Sequence, residues 1–428
     1  VDVNVQTLSD VSREVEIVAT ADEVQPHFNK KYVEYQAKVD IKGFRKGKAP
    51  LDVVKRLYGE LIEHDSLEDI ATDLYRKAVA EHDLKPIGDP SLVDMKFNRG
   101  EELRFKVRYD VRPVITLKPV KGVRVTKPRH AITEAEIEEE VLRLRRANAA
   151  FEPANLAVDD EHVVTADMQD IDEQGMPIIG KKSEGVRFYL GDERLEEPFK
   201  EALRGTTAGA VHLVSFEHDH GDHKHMVRSR VTVKKVEKVL LPAFDGEFVK
   251  KLTNGTVEST DEFLKNLRND VEVYWRSKSE RAMLNSLTGE LLEMHDFQVP
   301  DSLTRAVLES LLQDMARQYP KKQLPDDFDY DRFGRENYAY AQAQAKWALL
   351  REELLKAESI TVDDADLEKL AESEASTINV DKERLLQYYK SSDQVRDRLR
   401  SDKLMQRLIS QATIIEVDDT ELTNAPKG

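Results

Sequence analysis

Ten residues, IKGFRKGKAP from Ile41 to Pro50, gather Lys42, Arg45, Lys46 and Lys48 around a single Phe44, with Gly43 and Gly47 between them. The set holds no nucleophile and no general base. Its chemistry is docking: ammonium and guanidinium groups meet phosphate or carboxylate oxygens, and a loop-borne ring supplies an apolar anchor. The surrounding chain is acidic, with 82 Asp and Glu against 65 Lys and Arg over 428 residues and a formal net charge of -17. Such a balance opposes broad adhesion to nucleic acid, so a compact basic loop marks one local contact point. A second constellation, FEHDHGDHKHM, sets His218, His220, His223 and His225 beside Asp219 and Asp222. Imidazole and carboxylate suit Zn²⁺ or Ni²⁺, but the spacing fits no closed structural site. In a chain of 11 histidines, adventitious metal binding is the most it implies, and no metal site is assigned.

Other chemistries are excluded by what the sequence lacks. It has no cysteine, hence no disulfide and no thiolate. No phosphate-binding glycine loop, nucleophile elbow or dinucleotide fingerprint occurs, so no cofactor is expected and ATP-driven work is unsupported. No apolar run approaches the ~18 residues of a membrane span, and VDVNVQTLSD lacks the pattern of a secretory signal. The expectation is a cytoplasmic protein without a membrane partner.

The elements that must position the basic loop are legible around it. Val15 and Ile17, then Leu103, Phe105, Val107, Tyr109 and Val111, alternate with polar residues and predict strands with one buried face. Thr20 and Glu23 form a capping box before a helix reaching about Val39, and Pro50 suits the first turn of a helix from Leu51. The loop therefore joins two helices, and Asp40 to Ala49 is long beside the usual ~2–8 residues of such a connection. Past Pro113 the chain runs extended and enters a helix capped by Thr133 and Glu136, with Ile137, Val141 and Leu144 on one face and Glu139–Arg143 as an i,i+4 ion pair. From about Glu161 to Lys238, short β-type runs alternate with glycine turns, and EEPFKEALRG predicts a short helix. From Ser259 the pattern is helical, with stripes such as Leu303, Val307 and Leu311 read as bundle core, and Ile414, Ile415 and Val417 as a last strand.

GFRKGKAP, Gly43 to Pro50, resembles the ribosome-binding signature of the bacterial trigger factor family, matching it at every defined position. The resemblance covers essentially the whole chain in the order and size of segments. It implies an α+β multidomain protein: a ribosome-binding domain (1–113) with a helix-loop-helix tip, an extended linker and linker helix (114–158), an FKBP-like antiparallel β domain (159–240) and a large all-helical C-terminal domain (241–428). The implied function is ATP-independent, ribosome-associated chaperoning of nascent polypeptides at the exit tunnel, and the alternative is an off-ribosome chaperone or assembly factor that has kept the signature by descent. Phe44, Arg45 and Lys46 would contact ribosomal protein and rRNA, within a site bounded by Gly43, Gly47 and Lys48. Apolar residues of the helical domain, with Met283, Met294, Met315, Phe333, Tyr338 and Tyr340 as candidates, would hold clients. A homodimer away from the ribosome is the implied assembly.

The FKBP-like resemblance implies peptidyl-prolyl isomerase activity, in which an aromatic-lined pocket twists a proline amide without covalent chemistry. Met168, Ile178, Phe188 and Phe199 fall at its pocket positions. Glu196 and Ser229 stand where the family has apolar or aromatic lining. Two readings follow: a sheet kept as a scaffold with a decayed pocket, or an active isomerase whose other domains recruit substrate.

Overall fold

The computed structural model describes residues 1–98, 100–219 and 224–419. It divides into two compact units, residues 1–128 together with the chain from 280 onward, and residues 129–279.

At the N-terminus, β1 (Asp2–Thr7), β2 (Ser12–Thr20), α1 (Ala21–Lys38), α2 (Leu51–Glu81), β3 (Ile87–Asn98) and β4 (Glu102–Asp110) form a four-stranded antiparallel sheet, ordered β1-β2-β4-β3, with two helices packed on it. The alternation predicted in β2 and β4 is what builds this core. Val15 pairs with Val107, Ile17 with Phe105 and Ala19 with Leu103, and all six are buried. The Thr20–Glu23 capping box is present at the start of α1. β1 and β3 were not read from the sequence, because most of their residues are exposed and two irregularities interrupt the pairing of β3.

The middle unit contains α3 (Glu134–Ala147), which follows β5 (Arg124–Arg129), then β6 (Ala150–Pro153), β7 (His162–Ile171), β8 (Pro177–Tyr189), α4 (Glu197–Leu203), β9 (Val211–Asp219), β10 (Lys224–Leu240) and α5 (Gly246–Leu252). The long β10 organises the sheet. It pairs along one edge with β7, which carries β8, and along the other with β9 and then β6. Val164, Ala166, Phe188 and Leu190 pack on Phe199 and Leu203 of α4.

The Thr133 hydroxyl caps α3 as predicted, accepting from the Glu136 N–H at 3.2 Å. Arg143 pairs with Glu140 and not with Glu139, because the residue three positions back presents both carboxylate oxygens to the guanidinium fork. The first half of α6 (Thr260–Met294) lies against α3: Arg268 grips the Glu134 carboxylate at 2.7 Å to each oxygen, and the Trp275 indole donates to Glu136 at 2.7 Å. Burial pushes the Glu136 carboxyl up, but hydrogen bonds from His130 and Trp275 outweigh it and hold the group below its usual range.

Beyond α6 come α7 (Asp301–Gln318), α8 (Tyr330–Ala357), α9 (Asp364–Ile378), α10 (Lys382–Ser391), α11 (Asp393–Gln411) and β11 (Thr413–Asp418), which pairs with β5. The extended stretch after Pro113, expected as a linker, is part of this helical core: Val120, Val123 and Val125 are buried with Leu287, Leu291, Leu350, Leu354, Leu404 and Leu408. Among the described residues, no helix is long and apolar enough to cross a membrane.

Candidate functional site

The loop between α1 and α2 is held at its two ends and open in the middle. Ile41 and Ala49 are buried in the N-terminal core, and the Gln36 side-chain amide donates to the Ala49 carbonyl at 2.6 Å. Between them the chain makes two turns, closed by the Phe44 N–H to the Ile41 carbonyl at 3.0 Å and the Lys48 N–H to the Arg45 carbonyl at 2.9 Å. Gly43 and Gly47 have φ of +99° and +74°, which favours glycine at both. At Gly47 a Cβ would also come within 3.3 Å of the Ala37 carbonyl oxygen. The result is a small tip on which Phe44 is 41 % exposed, with Lys42, Arg45, Lys46 and Lys48 exposed around it. No salt bridge engages these four cations among the described residues. A ring and unpaired cations held outward suit an anionic partner with an apolar notch.

In the middle unit the sequence-assigned pocket residues separate. Phe199 is 7 % exposed and stacks on Phe188 at 5.4 Å, with Phe216 edge-on at 5.6 Å. Met168 is half-buried against the same cluster. Ile178, on β8, is 42 % exposed and is not part of that cluster. Ser229, standing where the resemblance puts an aromatic ring, is fully buried, and its hydroxyl donates to the Asp170 carboxylate at 3.0 Å. Glu196 sits at the exposed N-terminal end of α4. Of the histidine-rich stretch, His220, Asp222 and His223 lie outside the described residues.

The helical part holds a groove of about 530 Å³ between α7 and α8. Leu303, Val307 and Leu311 line one wall, and Tyr340, Ala345 and Leu349 the other. The three α7 residues are half-buried and line the groove, which corrects their reading as bundle core. The Arg112–Glu352 ion pair marks the groove's rim. Of the residues singled out as client-binding candidates, Tyr340 is 55 % exposed and borders the groove. Tyr338, also exposed, donates to Asp301 at 3.1 Å, and burial with that carboxylate raises its phenol above the usual range. Met315 is half-buried on α7, and Phe333 is half-buried beside Phe328. Met283, at 8 % exposed, belongs to the core with Leu287 and Leu291, and Met294 packs against the same core. Met283 fills interior space, while Met294 is half-buried and keeps part of its surface exposed.

Residues 1–144 match the family model described as bacterial trigger factor protein, and residues 259–413 match that of its C-terminus. The trigger factor of Chloroherpeton thalassium is 31 % identical over 86 % of this chain and 86 % of its own. The chain belongs to the bacterial trigger factor family. The trigger factor of Salinibacter ruber is 29 % identical over 95 % of the chain and 92 % of its own length. A solved trigger factor chaperone chain aligns over 95 % of this one at 21 % identity, with a TM-score of 0.47. Trigger factor membership places the protein among folding chaperones. The groove was missed in the sequence because a periodic apolar stripe looks the same whether or not another helix covers it.

Proposed function

We propose that the chain is an ATP-independent chaperone that docks through its Phe44 tip beside the polypeptide exit of the ribosome and shields emerging chains along the α7–α8 groove. The observation carrying this reading is the tip itself: an exposed ring and four cations on a loop pinned by Ile41 and Ala49, in a chain of net charge -17. Folding alone gives no reason to hold Phe44 in water. Arg45 and Lys46 would meet rRNA phosphates or an acidic ribosomal-protein surface, while the acidic remainder restricts docking to this point. The compartment this requires is the cytoplasm. Off the ribosome, the exposed ring and groove favour self-association into a dimer.

The groove supplies adaptable apolar area, with Tyr340 able to donate a hydrogen bond at its edge. For the middle unit, the scaffold reading is the better supported, since Phe188, Phe199 and Phe216 close on one another and Ser229 is spent on Asp170.

The test separates the two surfaces. Val307→Ser with Leu311→Ser removes half-buried apolar area without opening a core, at a cost of about 1–2 kcal/mol of client binding. That corresponds to a roughly tenfold rise in the chaperone concentration needed to suppress aggregation of a denatured protein. Ribosome co-sedimentation of the same variant should equal that of the wild type. Unchanged suppression would remove the groove from the client surface, and failure of the wild type to co-sediment would remove the ribosome from the proposal.

A further inference from the structure

The middle unit has a cavity on the sheet face opposite the Phe188–Phe199 cluster. Strand alternation separates the two, since Val164, Phe188 and Leu190 point into the core while Val163 and Tyr189 lie on the other face. There Arg146, Phe151, Val163, Arg187, Tyr189 and Val239 enclose about 290 Å³. The Arg187 guanidinium lies 4.3 Å from the centre of the Phe151 ring, and that of Arg146 lies 5.4 Å from the centre of the Tyr189 ring.

Local structure sets both stacks. The Arg145 side chain donates to the Pro242 carbonyl at 2.8 Å, which fixes the last turn of α3, and the chain enters β6 at Ala150. Arg146 and Phe151 thereby reach the same cavity from either side of one tight connection. Gly191 matters equally: a Cβ there would stand 2.9 Å from the Tyr189 ring and hydroxyl and 2.6 Å from the Asp160 carbonyl oxygen. Two acids at this end of the sheet are already engaged. Asp192 is paired with Arg194 at 3.0 Å, and the buried Glu237, opposite Val163 in register, is paired with Lys235 at 2.6 Å. Neither Arg146 nor Arg187 forms an ion pair among the described residues, although the charge of Arg146 adds to that of Arg194 in holding the Asp192 carboxyl below its usual range.

Stacking orients a guanidinium and covers one of its faces while its N–H edge still points outward, and that fork matches a carboxylate bidentately. Val163 and Val239 give the cavity an apolar floor. Its volume is at the bottom of the ~300–1,000 Å³ range of ligand pockets, room for one residue-sized group. A free phosphate would leave that floor empty, whereas a carboxylate attached to an apolar side chain uses both parts. We propose that this cavity binds a carboxylate carried on an aromatic or branched apolar residue, as at the C-terminus of a polypeptide. The site is separate from the tip and from the α7–α8 groove.

The full-length protein is titrated into a fluorescein-labelled peptide ending in phenylalanine with a free carboxylate, read by anisotropy, beside the same peptide ending in an amide. Binding of the acid at least about tenfold tighter than the amide is expected, as is a similar loss for Arg146→Gln and for Arg187→Gln with unchanged thermal melts. N-acetylphenylalanine should displace the peptide. Equal affinity for acid and amide, or full binding by the Arg146→Gln/Arg187→Gln double variant, overturns the proposal. So does displacement by inorganic phosphate but not by N-acetylphenylalanine. Neither ribosomes nor aggregating clients enter this titration, so its failure leaves the chaperone reading intact, and the converse holds.

Discussion

Replacing Phe44, Arg45 and Lys46 together by alanine is expected to abolish co-sedimentation with ribosomes while leaving thermal unfolding within the ~0.5 kcal/mol typical of harmless surface changes. The two outcomes separate because different residues carry them. The tip's shape depends on buried Ile41 and Ala49, on the Gln36 hydrogen bond and on the two glycines, and none of these is altered. The three replaced side chains are exposed and bury nothing in the core. Phe44 would supply the desolvated anchor, and such anchors commonly account for 2 kcal/mol or more at an interface, roughly a thirtyfold change in affinity. Loss of the two cations adds to it. Wild-type binding should also weaken by about tenfold between roughly 50 and 200 mM salt if two phosphates are contacted, from a slope of about -0.9 per phosphate. A triple variant that still sediments with ribosomes would mean that the docking surface lies elsewhere.

The tip could be read from sequence because everything that defines it is local: one loop, its two glycines and the helix signals on either side. The strands β2 and β4 were equally plain, since Ile17 and Phe105 each bury one face in strict alternation. Legibility failed where the outcome depended on a distant partner. Val120 and Val123 lie in an extended run that looks like a linker, and only the arrival of α8 and α11 makes them core. Leu303, Val307 and Leu311 read as core but stay half-buried along a groove, whereas Met283, a candidate for client binding, is enclosed. Ser229 shows a third kind of limit. Its position in β10 was visible, but the Asp170 carboxylate that accepts from its hydroxyl and makes it a satisfied buried polar residue belongs to the neighbouring strand.

Phe199→Ala is expected to destabilise the middle unit by about 3–5 kcal/mol, the usual cost of truncating a buried phenylalanine. For a unit of this size that lowers its melting temperature by roughly 10 °C. The ring is almost fully buried, stacked on Phe188 and met edge-on by Phe216, so its removal leaves a cavity with aromatic walls rather than a widened surface cleft. A prolyl isomerase assay on this variant is therefore informative only beside Phe199→Leu, which keeps most of the volume and should cost only about 1.5 kcal/mol. If Phe199 acts mainly through packing, melting temperature and any basal isomerisation recover together in the leucine variant. If its ring is a pocket wall that holds the twisted amide, leucine restores the melt but not the rate. The arrangement of the three phenylalanines favours the first result. An alanine variant that melts like the wild type would show that the ring faces open space and that the pocket is formed around it after all.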